Sequence, residues 1–264
     1  MQKYFAAFSI ALTQELYNRA SFLMDRARSV TIVIAFYAFW STIFRDRSEL
    51  LGYSISQMLS YVLGMNILRA LVFSDKTWEM IREINLGKIS YYLIRPISYI
   101  GYSVSRDAAD KLINLISAII EVTLAVMILK IPLYIPKNSA VLFIFAFTVL
   151  LAMILYFLMS YAVSALAFWT AESGGPRFCF ELFLEFAAGA FFPLDVLPSF
   201  FRKIFEFLPF ASLLYFPLNV LLERISRGAL MQGIALQIFW IFVFTFVTRA
   251  LWSRALESYG AEGG

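Results

Sequence analysis

A chain of 264 residues that is 61% hydrophobic, only 15% charged and of mean hydropathy +0.76 is no ordinary soluble domain, where about half the residues are apolar and about a quarter charged. The absence of histidine excludes a Ser-His-Asp triad or a His-rich metal site, and a single cysteine excludes an internal disulfide. The formal charge of +4 is scattered over the chain rather than gathered in a stripe, so it reads as the basic bias of membrane loops and not as a nucleic-acid footprint.

The fold class expected is therefore an all-α polytopic membrane protein. Gln14, Glu15 and Asn18 interrupt any signal-peptide core. Phe5, Phe8, Leu12 and Leu16 recur at helical spacing, which predicts an amphipathic interfacial helix over residues 1–21; a plain extension of the first span is the alternative. Six membrane spans are predicted, at 29–44, 55–74, 112–130, 139–166, 178–196 and 229–250. Counting Lys and Arg in the loops puts both termini in the cytoplasm.

Residues 74–111 then form the largest cytoplasmic loop. Within it SDKTWEMIREINLG predicts a short helix, with Ser74 or Asp75 as N-cap and Gly87 as the stop. Trp78, Ile81 and Ile84 share one face, whereas Glu79, Arg82 and Glu83 lie elsewhere around it. Such a helix rests on lipid or fills a groove in a partner. Pro96 disfavours helical geometry at Arg95, so ISYYLIRPIS is not one continuous helix.

Charges inside apolar spans are costly and mark function or pairing. Glu121 falls in span three; Arg177, Glu181 and Glu185 follow one another by single helical turns around span five. Arg177 and Glu181 are expected to pair near the cytoplasmic surface. Glu121, Glu181 and Glu185 are candidates for a cargo path or for bonds to neighbouring helices. Residues 193–228 are apolar but broken by Pro209 and Pro217, which predicts helices that dip into the outer leaflet and return. Asp195, between Pro193 and Pro198, is expected to cap or turn the outer end of span five.

Three stretches carry a family resemblance: IREINLGKISYYLIRPIS (81–98), GAFFPLDVLPSFFRKIFEFLPF (189–210) and WSRALESYGAEGG (252–264). In this order they resemble the membrane subunits of ABC-2 type exporters, in the six-span bacterial branch. The resemblance implies a single transmembrane domain over 1–264 in the bacterial cytoplasmic membrane, an export permease for a hydrophobic, lipid-like, peptide or drug-like cargo. It implies a separate cytoplasmic ATP-binding subunit that holds ATP and Mg, and a second permease, identical or sister. No catalytic residue, metal or cofactor is implied in this chain, and no G-x-x-x-x-G-K-[ST] loop is present. It places the ATPase coupling at Trp78, Glu79, Ile81, Arg82, Glu83, Arg95 and Pro96, with an elbow leading into span three as the alternative role of Arg95 and the favoured one of Pro96, and an outer re-entrant turn at Gly189, Pro193, Asp195, Pro198 and Pro209. An ion-gradient-driven transporter is the first rival reading, and it predicts carboxylates at mid-membrane. A membrane-embedded enzyme and a structural scaffold are the others.

Overall fold

The computed structural model describes residues 2–17, 19–74, 76–94, 97–170 and 173–262. Asp75, Arg95 and Pro96 lie outside the described residues, as do the side chains of the tail beyond Glu257. The elements are α1 (Gln2–Tyr17), α2 (Arg19–Ile43), a two-stranded hairpin of β1 (Glu49–Leu50) and β2 (Tyr53–Ser54), α3 (Ile55–Val72), α4 (Lys76–Asn85), α5 (Ile89–Leu93) and α6 (Tyr99–Leu129). There follow α7 (Ala140–Ser164), α8 (Gly174–Ala187), α9 (Ser199–Phe207), α10 (Tyr215–Leu221) and α11 (Arg227–Glu262).

Four stretches are long and apolar enough to cross a bilayer: Ile55–Asn85, Tyr99–Leu129, Ala140–Phe168 and Arg227–Ala255. The expected first and fifth spans are not among them. Asp25, Arg26 and Arg28 occupy the first half of α2, which leaves only Ser29–Ile43 free of charge. α8 has 14 residues and at about 1.5 Å per residue falls short of a hydrocarbon core of about 30 Å. It stops at Ala187 because Gly189, at φ +79°, closes the helix: the Ala190 amide bonds the Glu185 carbonyl (3.0 Å) and the Gly189 amide bonds that of Phe186 (3.1 Å).

The expected loop 74–111 is largely helical. α6 begins at Tyr99, where the Ser98 hydroxyl accepts the Gly101 amide, and runs unbroken into the apolar stretch. Its early charges are paired, Lys111 with Asp107 at 2.7 Å and Arg106 with Glu83 at 2.8 Å, so nothing forces the helix to end before the membrane. α1 differs from the expected surface helix in one respect. Its small residues Ala7 and Ala11 are buried and Tyr4 seats on Gly101 of α6, where a Cβ would stand 2.6 Å from the ring; Phe5 remains 72% exposed. Close approach over small residues is the ordinary way for helices to associate when lipid removes the hydrophobic drive.

The core lies among α3, α7, α8 and α10, around Leu68, Leu155, Met159, Leu184, Leu213 and Leu218. α7 and α11 are bolted by Gln237, whose amide donates to the carbonyls of Thr148 (3.1 Å) and Ser212 (2.8 Å). α9 buries none of its residues, and Phe200, Phe201, Ile204 and Phe207 are exposed along it. α10 is the reverse: Pro217, Leu218, Asn219 and Val220 are all buried.

Gly233 of α11 faces the ring of Phe216, and a Cβ there would stand 2.1 Å from it. Gly233→Ala is expected to lower stability in detergent by about 1–3 kcal/mol through overpacking. Adding Phe216→Ala should restore part of that loss in a thermal unfolding series.

Candidate functional site

A cavity of about 420 Å³ opens among α2, α3, α6 and α8, at the end of the bundle that carries α4. Its floor is a chain of polar side chains drawn from three helices. The Asn66 amide donates to the Ser29 hydroxyl (2.8 Å), Ser29 donates to Glu121 (2.6 Å), and Arg26 donates to Glu121 (3.3 Å) and to Asn114 (2.8 Å). Glu185 of α8 is held by Arg69 of α3. Ile32, Val33, Phe36, Val62, Met65 and Phe191 form its apolar wall. An ionised side chain at this depth costs several kcal/mol unless it is paired and hydrogen-bonded, roughly the condition met here.

α4 forms where expected. Ser74 accepts the Lys76 amide at 3.1 Å. Gly87, at φ +69°, ends the helix with the Lys88 amide on the Glu83 carbonyl (2.9 Å) and its own amide on that of Ile84 (2.9 Å). Its apolar face, however, turns inward. Met80, Ile81 and Ile84 are buried with Ile89, Tyr99 and Tyr161. Ile81, expected among the coupling residues, is only 5% exposed and packs within the chain.

Trp78 is also turned inward. Its indole N–H donates to Glu181 (2.8 Å), which pairs with Arg177 at 2.7 Å. Arg177 is fully buried, donates to the Thr77 hydroxyl (2.6 Å) and the Ser160 carbonyl (3.3 Å), and lies against the rings of Trp78 and Phe180. Glu79 pairs with Lys76 (3.1 Å) and Arg106; Glu83 takes Arg106 and the Tyr99 hydroxyl (2.7 Å). α4 is thus joined through side chains to α6, α7 and α8. What it leaves exposed is Arg82, Asn85 and Leu86, continued by Lys88, Tyr91 and Ile94.

At the opposite end Asp195 does more than turn the chain. It accepts the hydroxyls of Tyr53 (2.7 Å) and Tyr215 (2.9 Å) and pairs with Arg202 (2.8 Å) and Arg224 (3.6 Å). Burial pushes both tyrosine hydroxyls well above their ordinary range, so they stay protonated and act as donors. Around it Gly189 closes α8, and its carbonyl accepts the Tyr61 hydroxyl (2.9 Å). The Pro193 carbonyl accepts the Val196 amide (3.1 Å), the Pro198 carbonyl accepts that of Arg202 (3.0 Å), and Pro209 opens the turn that leads to α10.

The cavity brings Glu181 and Glu185 together with the arginines, and Glu121 reaches its floor through Arg26 and Ser29; Asp195 stands apart from them. Sequence reasoning missed Arg69, whose signal was available: it is an arginine inside the second apolar stretch. It also missed Ser29, Asn66 and Asn114, which carry no signal beyond being polar on apolar helices. Among the described residues no three His, Cys, Asp or Glu side chains converge to hold a metal ion.

Arg177→Met is expected to cost about 3 kcal/mol or more, because it removes the cation that pairs with Glu181 and leaves the Thr77 hydroxyl and the Ser160 carbonyl without their buried donor. Adding Glu181→Gln should recover part of the lost thermal midpoint, which a double-variant cycle measures.

Comparison with curated proteins gave no match. Comparison with protein families did: the sequence model described as ABC-2 family transporter protein matches residues 30–263, from the second half of α2 through α11. The match takes in α3, α6 and α8 of the cavity but not Arg26 and Ser29, which precede it, together with the α4 contacts to α6, α7 and α8 and the Asp195 cluster, and the chain belongs to the ABC-2 family of transporter proteins, as a membrane transport component.

Proposed function

We propose that this chain is the permease of an ATP-driven exporter, working with a separate cytoplasmic ATP-binding subunit and a second permease, in the bacterial cytoplasmic membrane. ATP and Mg²⁺ belong to the partner. The α4 end faces the cytoplasm with both termini, and the α9 end faces outward. α2, and α8 with residues 188–198, complete six crossings; α9 lies in the outer leaflet and α10 returns into the bundle.

The observation that carries this reading is the two-sidedness of α4. One face is fixed to α8 through Arg177, Trp78 and Glu181; the other presents Arg82, Leu86 and Lys88. A force applied to the exposed face reaches α8, and so the cavity wall, through bonds rather than through loose packing. Nucleotide then drives transport only as far as it favours one arrangement of that wall over the other. The pairing of Glu121, Glu181 and Glu185 with arginines supports an ATP-driven mechanism over an ion-gradient one. A gradient-driven carrier needs a carboxylate that its ion can reach.

Two variants separate docking from transmission. Arg82→Glu with Leu86→Ala is expected to weaken co-purification of the ATP-binding subunit by tenfold or so while leaving the thermal midpoint of the permease unchanged. Trp78→Phe keeps the ring but loses the donor to Glu181; it should keep the subunit bound yet lower transport per ATP hydrolysed. If wild-type protein extracted in mild detergent brings no ATP-binding subunit, the proposal fails and gradient-driven transport replaces it.

A further inference from the structure

We infer that the ion pairs joining Glu15, Lys76 and Glu79 form a gate, through which cargo passes into the cavity from a second hollow that runs along α1. What moves the gate rests on the exporter reading given above. That it parts, and what it then admits, does not.

Two hollows meet at these side chains. Beside the cavity of about 420 Å³ lies a second of about 550 Å³, which Ser9, Thr13 and Gln14 line with polar groups and Ile10 and Tyr17 with apolar ones. Among the described residues the two hollows share only Glu15, in the last turn of α1, and Glu79 of α4. Lys76 spans the gap between those carboxylates: its ammonium pairs with Glu15 and, at 3.1 Å, with Glu79. The partition is therefore made of charged side chains from two elements, not of backbone or packed apolar groups. Ile10 and Tyr17 are exposed, as befits a helix at a membrane surface, so the second hollow opens where the chain meets the headgroup layer. Both hollows have a polar and an apolar side, which suits an amphiphile arriving from that layer.

This pair parts more readily than others in the bundle. Arg177 is fully buried, and breaking its pair leaves a charge with no partner. Glu15 is 28% exposed, and a pair that water reaches contributes little. When Lys76 leaves Glu15 it keeps Glu79, and Glu15 turns to water, so neither charge is stranded. Meanwhile α1 stays attached through the buried Ala7 and Ala11 and through Tyr4 on Gly101 of α6. Lys76 is the first residue of α4, the helix whose exposed face is proposed to receive the ATP-binding subunit. A tilt of α4 draws the ammonium away from Glu15 and joins the two hollows.

The test is the rate at which fluorescein maleimide labels a cysteine inside the cavity, in purified permease without its partner. Ala70→Cys on α3 places the thiol in the lining, and Cys179→Ser removes the exposed native one. The rate scales with the fraction of molecules whose gate stands open, so Lys76→Gln and Glu15→Gln are each expected to raise it about tenfold. Lys76→Arg still reaches both carboxylates and should keep the slow rate. Asp25→Asn with Arg28→Gln, at the exposed rim on α2, should leave it unchanged. Leu68→Cys, buried and off the cavity, should stay unlabelled in every variant. The inference is overturned if neither Lys76→Gln nor Glu15→Gln speeds labelling, or if Lys76→Arg speeds it as much. It is equally overturned if the α2 rim variant raises the rate, which puts the entrance past α2, or if Leu68→Cys labels faster too, which means general loosening. Faster labelling in the gate variants with no co-purifying ATP-binding subunit keeps this inference and removes the exporter reading; a co-purifying subunit with no faster labelling does the opposite.

Discussion

A guanidinium with no exposed surface governs how this protein can be built. Arg177 is charged and fully buried, and such a group is tolerated only where neighbours supply what water would. Thr77, Ser160 and Glu181 do so for its terminal nitrogens, and the rings of Trp78 and Phe180 lie within reach of the guanidinium. Each of these partners comes from a particular element, so meeting the needs of one side chain fixes the start of α4 against the end of α7 and the first turns of α8. Ser164 and Tyr156 extend the arrangement by donating to the carbonyls of Thr77 (3.1 Å) and Ser74 (3.2 Å).

The same principle recurs at two further levels of the bundle. Midway, Arg26 and Arg69 tie α2 to α6 and α3 to α8 around the cavity. At the far end Asp195 gathers the hairpin, α9, α10 and the turn after it. α8 and the segment that follows it take part at all three levels, and its short length is consistent with that role. α8 is thus held by buried ion pairs as well as by Leu184 in the core, and breaking such a pair is costly because it leaves a charge without a partner.

Much of the architecture was legible because it is written locally. The α4 helix, its stop at Gly87 and the Arg177–Glu181 pair each depend on residues within a few positions of one another, and spacing alone reveals them. The apolar runs of α3, α6, α7 and α11 announced themselves by length. What spacing could not reveal is partnership across the chain. Glu121 meets Arg26 and Ser29 more than ninety positions away, and Asp195 meets Tyr53 across 142. A single sequence displays such charges but not what they face. The inward turn of Ile81 was hidden for the same reason: an amphipathic helix shows that it has an apolar face, not whether that face meets lipid, a partner or its own chain. The end of α8 at Ala187 was obscured within the apolar run 178–196: Gly189 stood out as a turn residue, but the point at which it stops the helix depends on its positive φ.

The seating of Phe216 against Gly233 has a mechanical meaning. An aromatic ring pressed onto a helix backbone acts as a pawl, since α11 cannot advance past α10 without the ring riding over the bulkier residues of the adjoining turns. With Gln237 clamping the same helix to Thr148 and Ser212, α7, α10 and α11 are held in register as one block. A shift of any one of the three along the bundle therefore carries the other two with it.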